Sequence, residues 1–161
     1  MLSKDVKTAQ FWAKSRHEGQ VDKSGKPYFE HPARVAGRME TPEEQVVGWL
    51  HDTVEDTGLS LAEVTRQFGP ETAAAVDAIS RREGETWEDY LDRVKQNPTA
   101  RAVKISDLID NSNLTRLDRV TMKDLKRQEK YNAALQFLLA EDDANRPSVS
   151  RAGFSSAGGE S

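Results

Sequence analysis

Helix-opening and helix-closing signals follow one another along this chain closely enough to leave little room for a sheet. Thr41-Pro42-Glu43-Glu44 supplies a capping hydroxyl, a proline at the first helical position and a glutamate three residues after the cap. Val47, Leu50 and Val54 then share one helical face, which predicts a helix from there until Gly58 stops it. Ser60 and Glu63 form a second capping pattern ahead of Leu61, Val64 and Phe68. Gly69-Pro70 and Asn97-Pro98 break the chain, and between them helices are predicted over Thr72–Ser80 and Trp87–Gln96, joined by Gly84-Glu85-Thr86. Upstream, Ser3 caps a helix through Leu2, Val6, Ala9 and Ala13 that fades near Gly19. The polar turn Asp22–Pro27 follows, then a helix with His31 near its start and Pro32 in its first turn, running to Met39. Ala100–Asn113 reads as a buried helix through Val103, Ile105, Leu108 and Ile109, and Thr121 opens a last one carrying Tyr131, Leu135 and Leu138. The expected fold is an all-α compact bundle with no strand and no internal repeat.

Residues 1–140 carry this pattern, whereas 141–161 turn to Ser, Gly and Asp with scattered apolar residues and read as a disordered tail. Among 161 residues 36% are hydrophobic and no run nears the ~20 apolar residues of a spanning helix, so no membrane role is expected. MLSKDVKTAQ lacks the apolar stretch of a secretory signal. The absence of cysteine excludes disulfides, a thiol nucleophile and thiolate-bound zinc, and fits a cytoplasmic protein. A net charge of −4 argues against a nucleic-acid polymer as partner. Monomer and homodimer both remain open.

The chemistry concentrates in His51-Asp52-Thr53-Val54-Glu55-Asp56, at the end of a helix that is otherwise apolar through Val46, Val47, Trp49 and Leu50. Burying such groups is costly unless they are paired or bind a cation; a solvated helix end is the plainer explanation. His31 and Asp107 lie among apolar neighbours, as core or capping residues would too. Taken together, His31, His51, Asp52 and Asp107 form a mixed imidazole and carboxylate set that suits Mn²⁺, Fe²⁺ or Zn²⁺. Adjacent residues on a helix diverge by about 100°, so His51 and Asp52 can share an ion only if it sits between them or the helix is distorted.

Glu55 lies four residues after His51 and would stand beside a water on such an ion, as a proton acceptor. Asp56 could orient that water, protonate a leaving group or simply cap the helix end. Lys104, Asp107 and Asn111 share a face that would suit a phosphate and a sugar hydroxyl, or Lys104 simply pairs with Asp107. Arg16, Lys23 and Lys26 surround the turn before His31, where they either bind phosphates or are solvated.

The ordered set His31, His51-Asp52 and Asp107 resembles the H…HD…D pattern of HD-domain metal-dependent phosphohydrolases. Its surroundings narrow the likeness. Ser24-Gly25-Lys26-Pro27-Tyr28-Phe29-Glu30-His31-Pro32, His51–Thr57 with Phe68-Gly69 after it, and Val103–Asp107 through Asn111 are similar to the hydrolase domain of RelA/SpoT-type proteins over about residues 3–140. The resemblance implies an HD-domain bundle around Mn²⁺ and a small alarmone hydrolase. It would cleave pyrophosphate from the 3′ position of ppGpp or pppGpp, leaving GDP or GTP. It also implies metal ligation by His31, His51, Asp52 and Asp107, catalysis by Glu55 and Asp56, and nucleotide contacts from Asn111 and Lys23.

Two departures touch nucleotide recognition. Asp22-Lys23 stands where long family members have Arg-Lys, and Ser112-Asn113-Leu114 replaces a more basic stretch. Glu88 and Tyr90 are candidates for substitute ribose or base contacts, or are simply an exposed glutamate and a packing tyrosine. Other readings are the same machinery on an adenosine alarmone or NADPH, a non-catalytic alarmone-binding module, or a purely structural bundle.

Overall fold

The computed structural model describes residues 2–140; the segment expected to be a disordered tail lies outside the described residues. Among the described residues the chain forms nine helices and no strand: α1 Lys4–Arg16, α2 Glu30–Gly37, α3 Pro42–Leu50, α4 Thr53–Thr57, α5 Leu61–Phe68, α6 Pro70–Ile79, α7 Trp87–Lys95, α8 Pro98–Ser112 and α9 Met122–Leu139. The fold is therefore all-α. An isolated antiparallel bridge between Val21 and Pro27 closes the turn before α2. None of the described helices is long and apolar enough to cross a membrane.

Most starts coincide with the capping residues read from the sequence. The Thr41–Glu44 and Ser60–Glu63 boxes are both reciprocal, and Thr121 forms a third with Asp124. Two helices begin earlier than expected, at Pro70 and Pro98, because proline fits the first helical position, where the missing N–H is no loss. The helix expected to reach Met39 ends at Gly37.

Helix α8 packs against α2, α3, α6, α7 and α9, while α1 rests on α3 and α5 on α6. Val103 and Leu108 of α8 are fully buried with Leu50, Val35, Val76 and Val94 from the surrounding helices. Ile109, expected on the buried face, is 43% exposed. Its neighbours Leu108 and Asp110 take the inward directions instead. At the crossing of α2 and α3, Gly48 lets the backbones meet: a Cβ there would stand 2.9 Å from Ala36 Cα. This contact brings the helix bearing His31 against the helix ending at His51.

Candidate metal centre and its surroundings

The helix expected to run from Pro42 to Gly58 is broken in two. Helix α3 ends at Leu50, His51 and Asp52 form a turn, and α4 starts at Thr53. The Thr53 hydroxyl donates to the Leu50 carbonyl at 2.6 Å, a local bond that competes with helix continuation. The turn removes the divergence of adjacent helical residues and leaves His51 Nε2 3.2 Å from Asp52 Oδ2.

His31 enters from α2 and Asp107 from the middle of α8. His31 Nε2 lies 3.2 Å from His51 Nε2, 2.9 Å from Asp107 Oδ1 and 3.8 Å from Asp52 Oδ2. His51 Nε2 is 3.2 Å from the same Asp107 oxygen. Two ligands about 2.1 Å from one ion stand about 3.0 Å apart at a right angle and about 3.4 Å apart at a tetrahedral angle. The observed separations bracket those values. One atom each of His31, His51 and Asp52 falls within 4.8 Å of the others, and Asp107 touches both imidazoles.

The other ring nitrogens fix the tautomers. His31 Nδ1 is 2.7 Å from Asp110 Oδ2, and His51 Nδ1 is 2.7 Å from the Gly48 carbonyl. Both partners only accept, so Nδ1 carries the proton in each ring, and in the neutral imidazoles two Nε2 lone pairs face one another. Lone pairs at that separation, with carboxylates beside them, fit a divalent cation. Without one they attract protons. Burial disfavours the His31 imidazolium, yet Asp107 and Asp110 outweigh it and hold its pKa at about 10. His51 is likewise held up, against its burial, by Asp52 and Asp107. Burial would raise Asp107, but Lys104 and the two imidazoles keep it well below the usual carboxylate range.

Sequence reasoning missed Asp110. It lies one turn beyond Asp107 on the same face of α8, and that spacing was the available signal. Its fully buried carboxylate holds His31 and accepts from Arg34 Nε at 2.7 Å, with Arg38 and Arg116 at 3.4 Å each. Tyr28 was quoted in the motif without a role; its hydroxyl donates to Asp52 Oδ2 at 2.5 Å. Burial and Asp52 together raise the Tyr28 hydroxyl pKa far above its ordinary value. His31 and Tyr28 also line a cavity of about 330 Å³ shared with Lys23, Arg34, Arg116 and Arg127. No local pattern marks the last two, which tertiary folding delivers.

Other expected site residues divide. Asn111 lines the cavity, and its amide donates to Asp107 Oδ1 at 3.1 Å. Lys104 pairs with Asp107 at 2.8 Å and is largely buried. Tyr90 is 1% exposed and spends its hydroxyl on the Ile79 carbonyl, so it underlies Lys104 and offers no substrate contact of its own. Arg16 faces away, 3.7 Å from Glu63 of α5, and neither it nor the exposed Lys26 lines the cavity. Glu88 is exposed on α7.

Glu55 and Asp56 stand on α4, directly after His51 and Asp52 of the candidate metal site. The backbone N–H of Arg81 donates to Glu55 Oε1. Burial first, then Asp52 and the Asp56 charge, raise the Glu55 pKa despite that bond. Asp56 is raised by burial and Asp52 while the imidazoles of His17, His51 and His31 oppose the rise. Two carboxyls displaced upward beside a candidate metal site are equipped for proton transfer.

A family model described as HD domain matches residues 9–130. A GTP pyrophosphokinase of Myxococcus xanthus is 41% identical over 80 residues, 47% of this chain and 11% of that protein. A guanosine-3′,5′-bis(diphosphate) 3′-pyrophosphohydrolase of Aquifex aeolicus is 27% identical over 121 residues, 68% of this chain and 17% of its own length. The chain thus spans less than a fifth of these curated relatives. A solved structure of a metazoan ortholog of SpoT that hydrolyses ppGpp superposes with a TM-score of 0.69 at 20% identity, over 86% of this chain and 85% of that one. That likeness establishes the fold.

Proposed function

The chain belongs to the HD-domain family, and we propose that within it this protein is a cytoplasmic Mn²⁺-dependent hydrolase of guanosine alarmones. It removes pyrophosphate from the 3′ position of ppGpp or pppGpp and leaves GDP or GTP. One observation carries the reading: the donor atoms of His31, His51, Asp52 and Asp107 converge beside the Glu55–Asp56 pair, on the edge of a cavity lined by Lys23, Arg34, Arg116 and Arg127. A cationic cavity in a chain of net charge −4 is local and suits a phosphorylated ligand. The names of the Aquifex relative and of the structural neighbour point the same way.

His31, His51, Asp52 and Asp107 hold the cation, and the mixed N/O set suits Mn²⁺. When bound, it supplies Lewis acidity, making water more acidic and offsetting phosphate charge. Tyr28 and Asp110 orient Asp52 and His31 from behind. Glu55 accepts a proton from water as the water oxygen bonds to the phosphorus next to the ribose. The bond from that phosphorus to the 3′ oxygen breaks, its electron pair stays on the oxygen, and protonated Asp56 supplies the proton there. Asn111 and Lys23 meet the nucleotide from the cavity wall.

Purified protein incubated with Mn²⁺ and ppGpp, with an adenosine alarmone and NADPH in parallel, tests this by chromatography of the nucleotides. The expected result is GDP and pyrophosphate from ppGpp. Unchanged ppGpp with a folded protein overturns it, and turnover of one of the others instead moves the substrate.

A further inference from the structure

Three cations gather around one indole, and none of them lines the cavity; Lys104 connects with the cavity-lining residues His31 and Asn111 through its partner Asp107. Trp87 and Tyr90 stand on α7 with ring centroids 5.6 Å apart. Lys130 of α9 places its Nζ 4.3 Å from the Trp87 centroid. Lys104 of α8 lies 5.7 Å from Trp87 and 5.2 Å from Tyr90. The Arg81 guanidinium, from the loop after α6, lies 5.5 Å and 5.7 Å from the same two rings.

One cation over an indole is ordinary. Three around the same indole repel one another. Burial first, then Arg81 and Lys104, depress the Lys130 ammonium, with Glu88 of α7 opposing the shift. Lys104 is matched by Asp107 at 2.8 Å. Among the described residues, Arg81 and Lys130 have no carboxylate within ion-pair distance. The face therefore carries uncompensated positive charge directed at a flat, partly exposed ring.

This face adjoins the candidate metal site through two contacts, and Tyr131, whose ring centroid is 6.4 Å from that of Trp87, stands between it and the cavity it lines. The Arg81 backbone N–H holds Glu55, and Lys104 holds Asp107, which touches both imidazoles. The cavity is reached through His31, Tyr28 and Asn111, and neither Arg81, Trp87 nor Lys130 lines it. Positive groups thus stand near the candidate metal site both in the cavity wall and on this face.

We propose that Arg81, Lys104 and Lys130, gathered over Trp87, form a second anion subsite that holds the distal phosphate of the substrate's pyrophosphoryl group while the nucleoside occupies the cavity. The identity of that phosphate rests on the phosphohydrolase reading; the subsite as a place for a phosphate anion does not. A substrate bearing a single phosphate at the scissile position would forgo these contacts.

The subsite can be read without turnover and without metal. Inorganic pyrophosphate is titrated into the metal-free protein in the presence of a chelator while tryptophan emission is followed. An anion that draws Lys130 off the indole changes the Trp87 signal, and Trp87→Phe identifies that component against Trp12 and Trp49. The expected result is a saturable change whose apparent affinity falls about tenfold in Lys130→Gln and in Arg81→Gln. Both side chains are exposed, so circular dichroism and melting should match the native protein. No saturable change in the native protein, or equal affinity in both variants, overturns the subsite. A protein that passes the titration but leaves ppGpp intact keeps the subsite and loses the alarmone reading; the reverse pattern loses the subsite alone.

Discussion

Asp110 Oδ2 stands 2.7 Å from His31 Nδ1, so the residue one turn beyond Asp107 decides which nitrogen His31 turns to the metal site. Asp110→Asn keeps the shape but offers a weaker acceptor, and its amide can also present a donor to the ring. We expect divalent-metal affinity to fall about 10- to 100-fold, the usual effect of losing a partner behind a ligating imidazole. Competition titration with a metal-sensing dye checks this, and unchanged affinity refutes the role.

Asp52 is the most exposed of the four proposed ligands, with 18% of its side chain accessible, and so the safest to remove. The Asp52→Ala protein should fold yet lose metal-dependent stabilisation. For the native protein, a cation at a hundred times its dissociation constant adds about 2.7 kcal/mol. Melting curves with chelator and with Mn²⁺ should separate for the native chain and coincide for Asp52→Ala. A native chain whose curves coincide holds no resident metal.

Glu55→Gln isolates proton transfer from metal binding. The amide oxygen can still accept the Arg81 N–H, so α4 keeps its anchor. Turnover should fall about 10²- to 10⁴-fold, with the metal-induced shift in melting retained. Loss of both together would make Glu55 a ligand.

The Gly48–Ala36 crossing offers a test through packing. Gly48→Ala places a Cβ 2.9 Å from Ala36 Cα and 3.1 Å from its nitrogen, against backbone that cannot rotate away. Helices α2 and α3 must separate, at a cost of about 1–3 kcal/mol. His31 rides on one helix and His51 closes the other, so metal affinity should drop with stability. Destabilisation without loss of metal affinity would show the two helices moving as one body.

The helices were legible because caps and prolines act locally. Thr41, Ser60 and Thr121 each bond to the backbone three residues on, and no distant group is needed. The convergence of His31, His51, Asp52 and Asp107 was legible because they sit in distinctive strings. The break at His51 was not, since it depends on a hydroxyl of Thr53 reaching back to Leu50 in a segment whose apolar period suggested continuity. Arg34, Arg116 and Arg127 come from three separate places in the chain, and only the packing of α2, α8 and α9 brings them to one cavity. Tyr90 could be read from the sequence either as a site residue or as a packing one, because its apolar and polar parts fit a core and a site equally well; folding buries it.

Arg93 joins α7 to the end of α6. It donates to the carbonyls of Asp77, Ala78 and Ser80 at 2.8–3.0 Å and grips both Glu85 oxygens at 2.8 Å and 3.0 Å. The Arg93 hydrogen bonds hold the Glu85 carboxyl below its ordinary value, which in an unfolded chain is about 4.3. A group lowered on folding stabilises the native state above its unfolded pKa, and that contribution disappears as pH falls through the folded value. The gap in urea stability between the native protein and Glu85→Gln should therefore be about 1 kcal/mol and constant from pH 7 to pH 5. Below about pH 4 the gap should close as Glu85 protonates. Urea midpoints measured for both proteins down to pH 3 decide it, and a gap that persists there assigns the effect of the substitution to packing, with no contribution from the ion pair.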